Sequence, residues 1–161
     1  MVLRCSPLSR ALVGKEASVD IKSKLRNAEK MLKECERVSP LSSKNWRLHI
    51  PKESGVYVIW EGNTPVYVGE TSSLYKRMSD LSRPINHTFS RKIADKFDID
   101  KSDLERLAEE VSSRYKLSCI TVDFGRAEIE EYLILRWRQT LINKPTKRLQ
   151  SSDQYSWVIP N

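Results

Sequence analysis

The chain has 161 residues, with 28 Lys+Arg against 21 Asp+Glu, a formal net charge of +7 and a pI near 9.4. That length fits one domain with extensions and a modest core, and the basic balance points to a polyanion as partner, nucleic acid first and an anionic membrane second. No run of about eighteen apolar residues occurs and the apolar start is too short for a signal peptide, so membrane insertion and export are unsupported and a cytoplasmic protein is expected. Cys5, Cys35 and Cys119 are too far apart to suggest a disulfide framework or a zinc pattern.

Residues 1–50 read as a helical extension. From Ser18, a candidate N-cap, Ile21, Leu25, Ala28, Leu32 and Cys35 recur at helical spacing, with Lys22, Lys24, Lys30, Lys33 and Arg37 among the outward positions. The apolar stripe is expected to pack on the core. The lysine face, Lys22 and Lys30 included, is a candidate DNA contact. The polar stretch Ser39 to Ser43 then breaks the pattern and leads to the first strand.

Gly55 to Trp60 alternates, with Val56, Val58 and Trp60 on one side and Tyr57 and Ile59 on the other, which is the period of a strand. Gly62 and Asn63 supply turn chemistry, and Val66 to Gly69 forms the second arm of a hairpin. Residues two apart on an extended chain share a face, so the phenols of Tyr57 and Tyr67 are expected on one side of the sheet, exposed for chemistry. Thr71 or Ser72 is placed to cap a helix whose apolar stripe is Leu74, Met78 and Leu81. Arg77 lies beside that stripe, with its stem on the core and its guanidinium toward a cleft above the hairpin.

A loop carrying Arg83 follows, and Thr88 caps a helix with Phe89, Ile93 and Phe97 inward and Arg91, Lys92 and Lys96 outward. His87 stands at the junction, where its imidazole can bond a phosphate, take a proton or serve the structure alone. Ser102 and Glu105 form a capping box before Leu104, Leu107, Ala108 and Val111. A third strand spans Ser118 to Phe124, with Ile120, Val122 and Phe124 on one face, and Gly125 ends it. From Arg126 the helical period returns through Ile129, Leu133, Ile134, Trp137 and Leu141. Glu130 falls at the edge of that buried side, where a carboxylate needs a partner, either a divalent cation or Arg126. The tail, residues 146–161, ends in an apolar group expected to dock as an edge strand.

Gly55-Val56-Tyr57 and Tyr67-Val68-Gly69 resemble the two motifs that name the GIY-YIG nuclease superfamily. Arg77 stands ten residues beyond Tyr67, the family's spacing for its catalytic arginine. Glu130 stands three residues before the apolar pair Leu133-Ile134, as does the family's metal-binding glutamate. Asn143, before Lys144-Pro145, is similar to the asparagine that closes the domain. The resemblance places the nuclease domain at residues 51–145. It implies an α/β (α+β) fold, a small three-stranded, largely antiparallel sheet flanked by helices. Many members carry a histidine four residues after the arginine, where this chain has Leu81; either His87 does that work from its loop or the site dispenses with it.

The resemblance implies a metal-dependent DNA endonuclease, similar to the compact restriction-type members, monomeric or homodimeric, that uses Mg²⁺ or another divalent cation such as Mn²⁺. In that chemistry Tyr57 or Tyr67 positions or deprotonates water, Arg77 binds the phosphate, Glu130 holds the metal, and Gly69 and Asn143 support the site. A register error of one would make Glu131 the ligand. Arg83, Arg91, Lys92, Lys22 and Lys30 are the candidate DNA contacts. The alternative is a DNA-binding or partner-binding module that keeps the fold without cutting.

Overall fold

The structure, a computed structural model, describes residues 20–143. Ser18 and the tail 146–161, with its expected edge strand, lie outside the described residues. Strands β1 (Gly55–Glu61), β2 (Thr64–Thr71) and β3 (Tyr115–Thr121) form an antiparallel sheet in the order β2-β1-β3. Gly62, with φ of 59°, makes the tight β1–β2 turn possible, because a left-handed backbone costs glycine little. A register shift between Ile59 and Trp60 sets Trp60 opposite Pro65, and an edge strand such as β2 tolerates proline.

Strand alternation divides the core into two layers. Val56, Val58, Trp60, Val68 and Ile120 pack with α1 (Ile21–Glu34) and α5 (Arg126–Arg136). Tyr57, Ile59, Tyr67, Leu117 and Cys119 pack with α2 (Leu74–Ser79), α3 (Thr88–Lys96) and α4 (Leu104–Arg114). The stripe of α1 is buried as its spacing demands: Leu25, Ala28 and Leu32 are almost fully covered. Truncating Leu32 to alanine costs about 2–5 kcal/mol on the usual scale for such sites. A buried acid joins this layer, since Glu29 accepts from the Tyr132 hydroxyl at 2.5 Å and from Lys33 at 2.6 Å, tying α1 to α5.

Several local expectations are corrected. Asp20 caps α1, Ser73 rather than Thr71 or Ser72 caps α2, His87 rather than Thr88 caps α3, and Asp103 rather than Ser102 caps α4. In each case the oxygen or nitrogen that reaches a free N–H of the first turn lies one or two residues from the expected one. β3 begins directly at the end of α4 and stops at Thr121, so Phe124 lies beyond the strand and is 82% exposed. A short 3-10 helix, Trp46–His49, occupies what reads as a plain connection. No described helix is long and apolar enough to cross a membrane.

Candidate active site

Tyr57 and Tyr67 do share a face, with ring centroids 6.2 Å apart, but neither is exposed: 1% of Tyr57 and 7% of Tyr67 is accessible. The reason is cover from two directions. β1 is the central strand, and Gly69 stands directly opposite Tyr57 so that the phenol lies over its Cα; a Cβ there would be 2.3 Å from both Cζ and Oη of Tyr57. Gly69 therefore makes room for the ring. From the other side α3 brings His87, fully buried, whose Nε2 is 2.9 Å from the Tyr57 hydroxyl.

The second ring nitrogen decides the tautomer. His87 Nδ1 accepts the Phe89 N–H at 3.2 Å as the cap of α3. Burial, reinforced by the Arg77 charge, lowers the imidazole pKa to about 3, so the ring is neutral and its single proton is on Nε2. His87 consequently donates to Tyr57. The phenol accepts there and keeps its own hydrogen for another partner. Burial drives both phenols above their ordinary pKa, while the Arg77 guanidinium pulls both the other way.

Arg77 is held in place from outside the core. Leu74, Met78 and Leu81 bury the inner face of α2 and the 3-10 turn after it, leaving Arg77 half-buried beside them. One guanidinium nitrogen donates to the Asn86 carbonyl at 3.1 Å and approaches Asp80 Oδ2 at 3.4 Å. The same guanidinium interacts with Tyr57 and Tyr67. Helix α5 lies against β2, and from it Glu130 acts electrostatically on both phenols, while Arg77 acts on Glu130.

Glu130 has no ion pair among the described residues. The expected partner, Arg126, instead pairs with Glu70 of β2 at 2.5 Å. Burial first, and the nearby Glu70 carboxylate second, raise Glu130 to about 7, against the opposing pull of the Glu70 backbone N–H and of Arg77. A half-buried acid beside another acid is the environment that a bound cation relieves. Among the described residues no three His, Cys, Asp or Glu side chains gather to hold a metal unaided. A cation at Glu130 would thus complete its shell with water and substrate oxygens, the habit of Mg²⁺. The residues present fit that ion.

Asn143 clamps the edge of the sheet: its side-chain oxygen accepts the Val68 N–H at 2.9 Å and its nitrogen donates to the Val68 carbonyl at 2.8 Å. Ile142 N–H joins the same edge through Val66. The candidate DNA contacts separate. Arg83 and Arg91 are exposed around the loop and first turn that carry His87. Lys92, expected to face outward, is half-buried and its ammonium donates to the Ile142 carbonyl, so it joins α3 to the segment after α5. Lys22 and Lys30 are exposed, but on α1, in the layer across the sheet from α2 and α3.

Residues 53–144 match the family described as the GIY-YIG catalytic domain. The chain belongs to the GIY-YIG family. No curated protein matches it. Among solved structures, the magnesium-bound GIY-YIG N-terminal endonuclease domain of UvrC from Thermotoga maritima is 23% identical with a TM-score of 0.38, over 57% of this chain and 85% of that one. An asparagine-to-alanine point mutant of the same domain is 22% identical with a TM-score of 0.37, over 57% and 84%. GIY-YIG domains are typically nucleases.

Three members of this GIY-YIG cluster escape the sequence reading. Glu70 is placed against α5 because it lies two residues beyond Val68 on the same face of β2, a relation the strand period contains. Thr88 acts on the Tyr67 hydroxyl, and the Asn86 carbonyl takes the Arg77 guanidinium. Only the folded loop reveals those two.

Proposed function

We propose that this GIY-YIG domain is a metal-dependent DNA endonuclease in which Tyr57, Tyr67, Arg77 and Glu130 act on one phosphodiester. The observation that carries the reading is their convergence: β1 and β2 set the two phenols with ring centroids 6.2 Å apart, and Arg77 of α2 and Glu130 of α5 both act electrostatically on them. Arg77 binds the non-bridging phosphate oxygens, and its anchor on Asn86 fixes the direction of approach. Tyr57, oriented by the His87 N–H, and Tyr67 present hydroxyls that position the attacking water. Glu130 would hold the cation, and Mg²⁺ bound there would supply a Lewis acid for charge on the departing 3′ oxygen.

His87 in this scheme is a positioning residue. With one nitrogen committed to the helix cap and the other to Tyr57, it has no lone pair left to accept a proton from water. Water activation falls to a tyrosine, whose hydroxyl loses its proton only as far as Arg77 offsets the cost of burial. Incubating supercoiled plasmid with the purified protein, in Mg²⁺ and in chelator, tests the activity. Nicked or linear product in Mg²⁺ alone supports it, and intact plasmid across several DNA sequences and divalent ions sinks it.

A further inference from the structure

The loop between the 3-10 turn after α2 and the start of α3 does more than carry His87. Its four residues Arg83, Pro84, Ile85 and Asn86 form a closed turn, with Asn86 N–H donating to the Arg83 carbonyl at 2.9 Å, His87 N–H to the same oxygen at 3.2 Å, and Arg83 N–H to Asp80 at 2.9 Å. Pro84 is buried, in the position where proline presets such a turn. Ile85, at the corner, is 81% exposed. Single exposed apolar residues are ordinary. This one differs in being rigidly presented, and in what surrounds it.

The residue after Ile85 gives its carbonyl to Arg77, so the Ile85 tip stands on the order of 10 Å from the guanidinium, given standard chain dimensions. Arg83 and Arg91 are exposed nearby and form no ion pair among the described residues. The tip also borders a hollow of about 490 Å³ that includes Leu104 and Lys101, whose ammonium pairs with Asp95 at 3.2 Å. An apolar point held by a hydrogen-bonded turn, flanked by Arg83 and Arg91 and one residue from the carbonyl that anchors Arg77, has the form of side chains that enter a base step and kink the duplex, whose unstacking costs a few kcal/mol per step.

Resting on the nuclease reading above, we propose that Ile85 is a wedge that inserts between base pairs beside the phosphate held by Arg77, and that the substrate class is duplex DNA already unstacked or easily kinked at the cut. Charge complementarity selects DNA over an apolar peptide, because the exposed Arg83 and Arg91 match phosphates. An intact, stacked duplex must supply the unstacking energy that a mismatched one does not.

The test uses the full chain in chelator with two duplexes of one sequence, whose cut has been mapped beforehand in Mg²⁺, one fully matched and one with a mismatch at the step beside the cut. Wild type should bind the mismatched duplex about tenfold tighter. Ile85→Ala should bring the two affinities within about twofold, and Ile85→Leu should keep the preference. A 2-aminopurine beside the cut in the matched duplex should brighten with wild type and not with Ile85→Ala. Both variants should melt like wild type, since the side chain is exposed. If duplex is bound and cut but the preference and the fluorescence rise survive in Ile85→Ala, or wild type shows no preference, the wedge is wrong and the nuclease stands. If no duplex is bound or cut by wild type, both readings fall.

Discussion

Gly69→Ala is a perturbation whose size follows from one contact. The added Cβ would meet Tyr57 Cζ and Oη at 2.3 Å and Cε1 at 2.6 Å, about an ångström inside the roughly 3.5 Å at which such atoms rest. The ring cannot simply retreat, because its hydroxyl is bonded to His87 and Tyr67 packs 6.2 Å from it. Either β1 and β2 separate or Tyr57 leaves its rotamer and breaks that bond. Overpacking costs about 1–3 kcal/mol, and a lost buried hydrogen bond about 1 kcal/mol more. The sum, about 2–4 kcal/mol, lowers the melting temperature by roughly 4–16 °C for a chain of this size. Cleavage should fall by about 10² or more, since a displacement near 1 Å is enough for that. Circular-dichroism melts and plasmid nicking measure the two effects. On a Tyr57→Ala background, where the ring is gone, Gly69→Ala should cost less than in wild type, a coupling of about 1–3 kcal/mol, while the double variant stays inactive. A Gly69→Ala protein that melts and cuts like wild type would refute the packing of Tyr57 over Gly69.

Tyr57→Phe and Tyr67→Phe should each fold, since the ring still packs, and at least one should lose most cleavage; wild-type rates in both would remove the phenols from the chemistry. His87 has a folded pKa of about 3 against about 6.5 unfolded, so the unfolded chain binds the extra proton between those values and His87 destabilises the fold progressively as the pH falls through that window. Stability of wild type relative to His87→Asn, from urea titrations, should therefore rise between pH 4 and 6.5 by up to about 1.4 kcal/mol per pH unit, and a flat difference would mean the imidazole is not neutral in the fold. DNA affinity should fall linearly with log[salt], at about 0.9 per phosphate neutralised. Replacing Arg83 and Arg91 with alanine should reduce that slope more than replacing Lys22 and Lys30, and the reverse would move the DNA to the α1 layer.

The hairpin and most helices are legible because their apolar residues repeat with the periods of strand and helix, and Val56, Val58 and Trp60 part from Tyr57 and Ile59 as alternation requires. The caps are less legible. Thr71, Ser72 and Ser73 are all capping types, and the choice among them depends on where Leu74 meets the core. His87 is outside the usual capping set, and its imidazole takes that role while also reaching Tyr57. Strand period puts both phenols on one face but says nothing of what covers that face; the cover comes from Gly69 across the strand and from α3, both products of register and packing. Likewise the Arg126–Glu70 pair forms across elements 56 residues apart, whereas helical spacing alone suggests Arg126 with Glu130.

The most direct measurement is cleavage and DNA binding compared side by side in Glu130→Gln, with Arg77→Ala and Glu131→Gln beside it. Glutamine keeps the shape of the side chain but removes the charge that holds the cation, so metal-supported cutting should vanish while DNA affinity is kept or rises, as an anion leaves the vicinity of the phosphate. Arg77→Ala should cost about 10² to 10³ in rate, as for deletion of one preorganised donor, and Glu131→Gln should cut normally. Glu130→Gln cutting at the wild-type rate in Mg²⁺ would contradict a metal site built on this carboxylate, and DNA bound but left uncut by wild type would leave a DNA-binding domain in place of the nuclease.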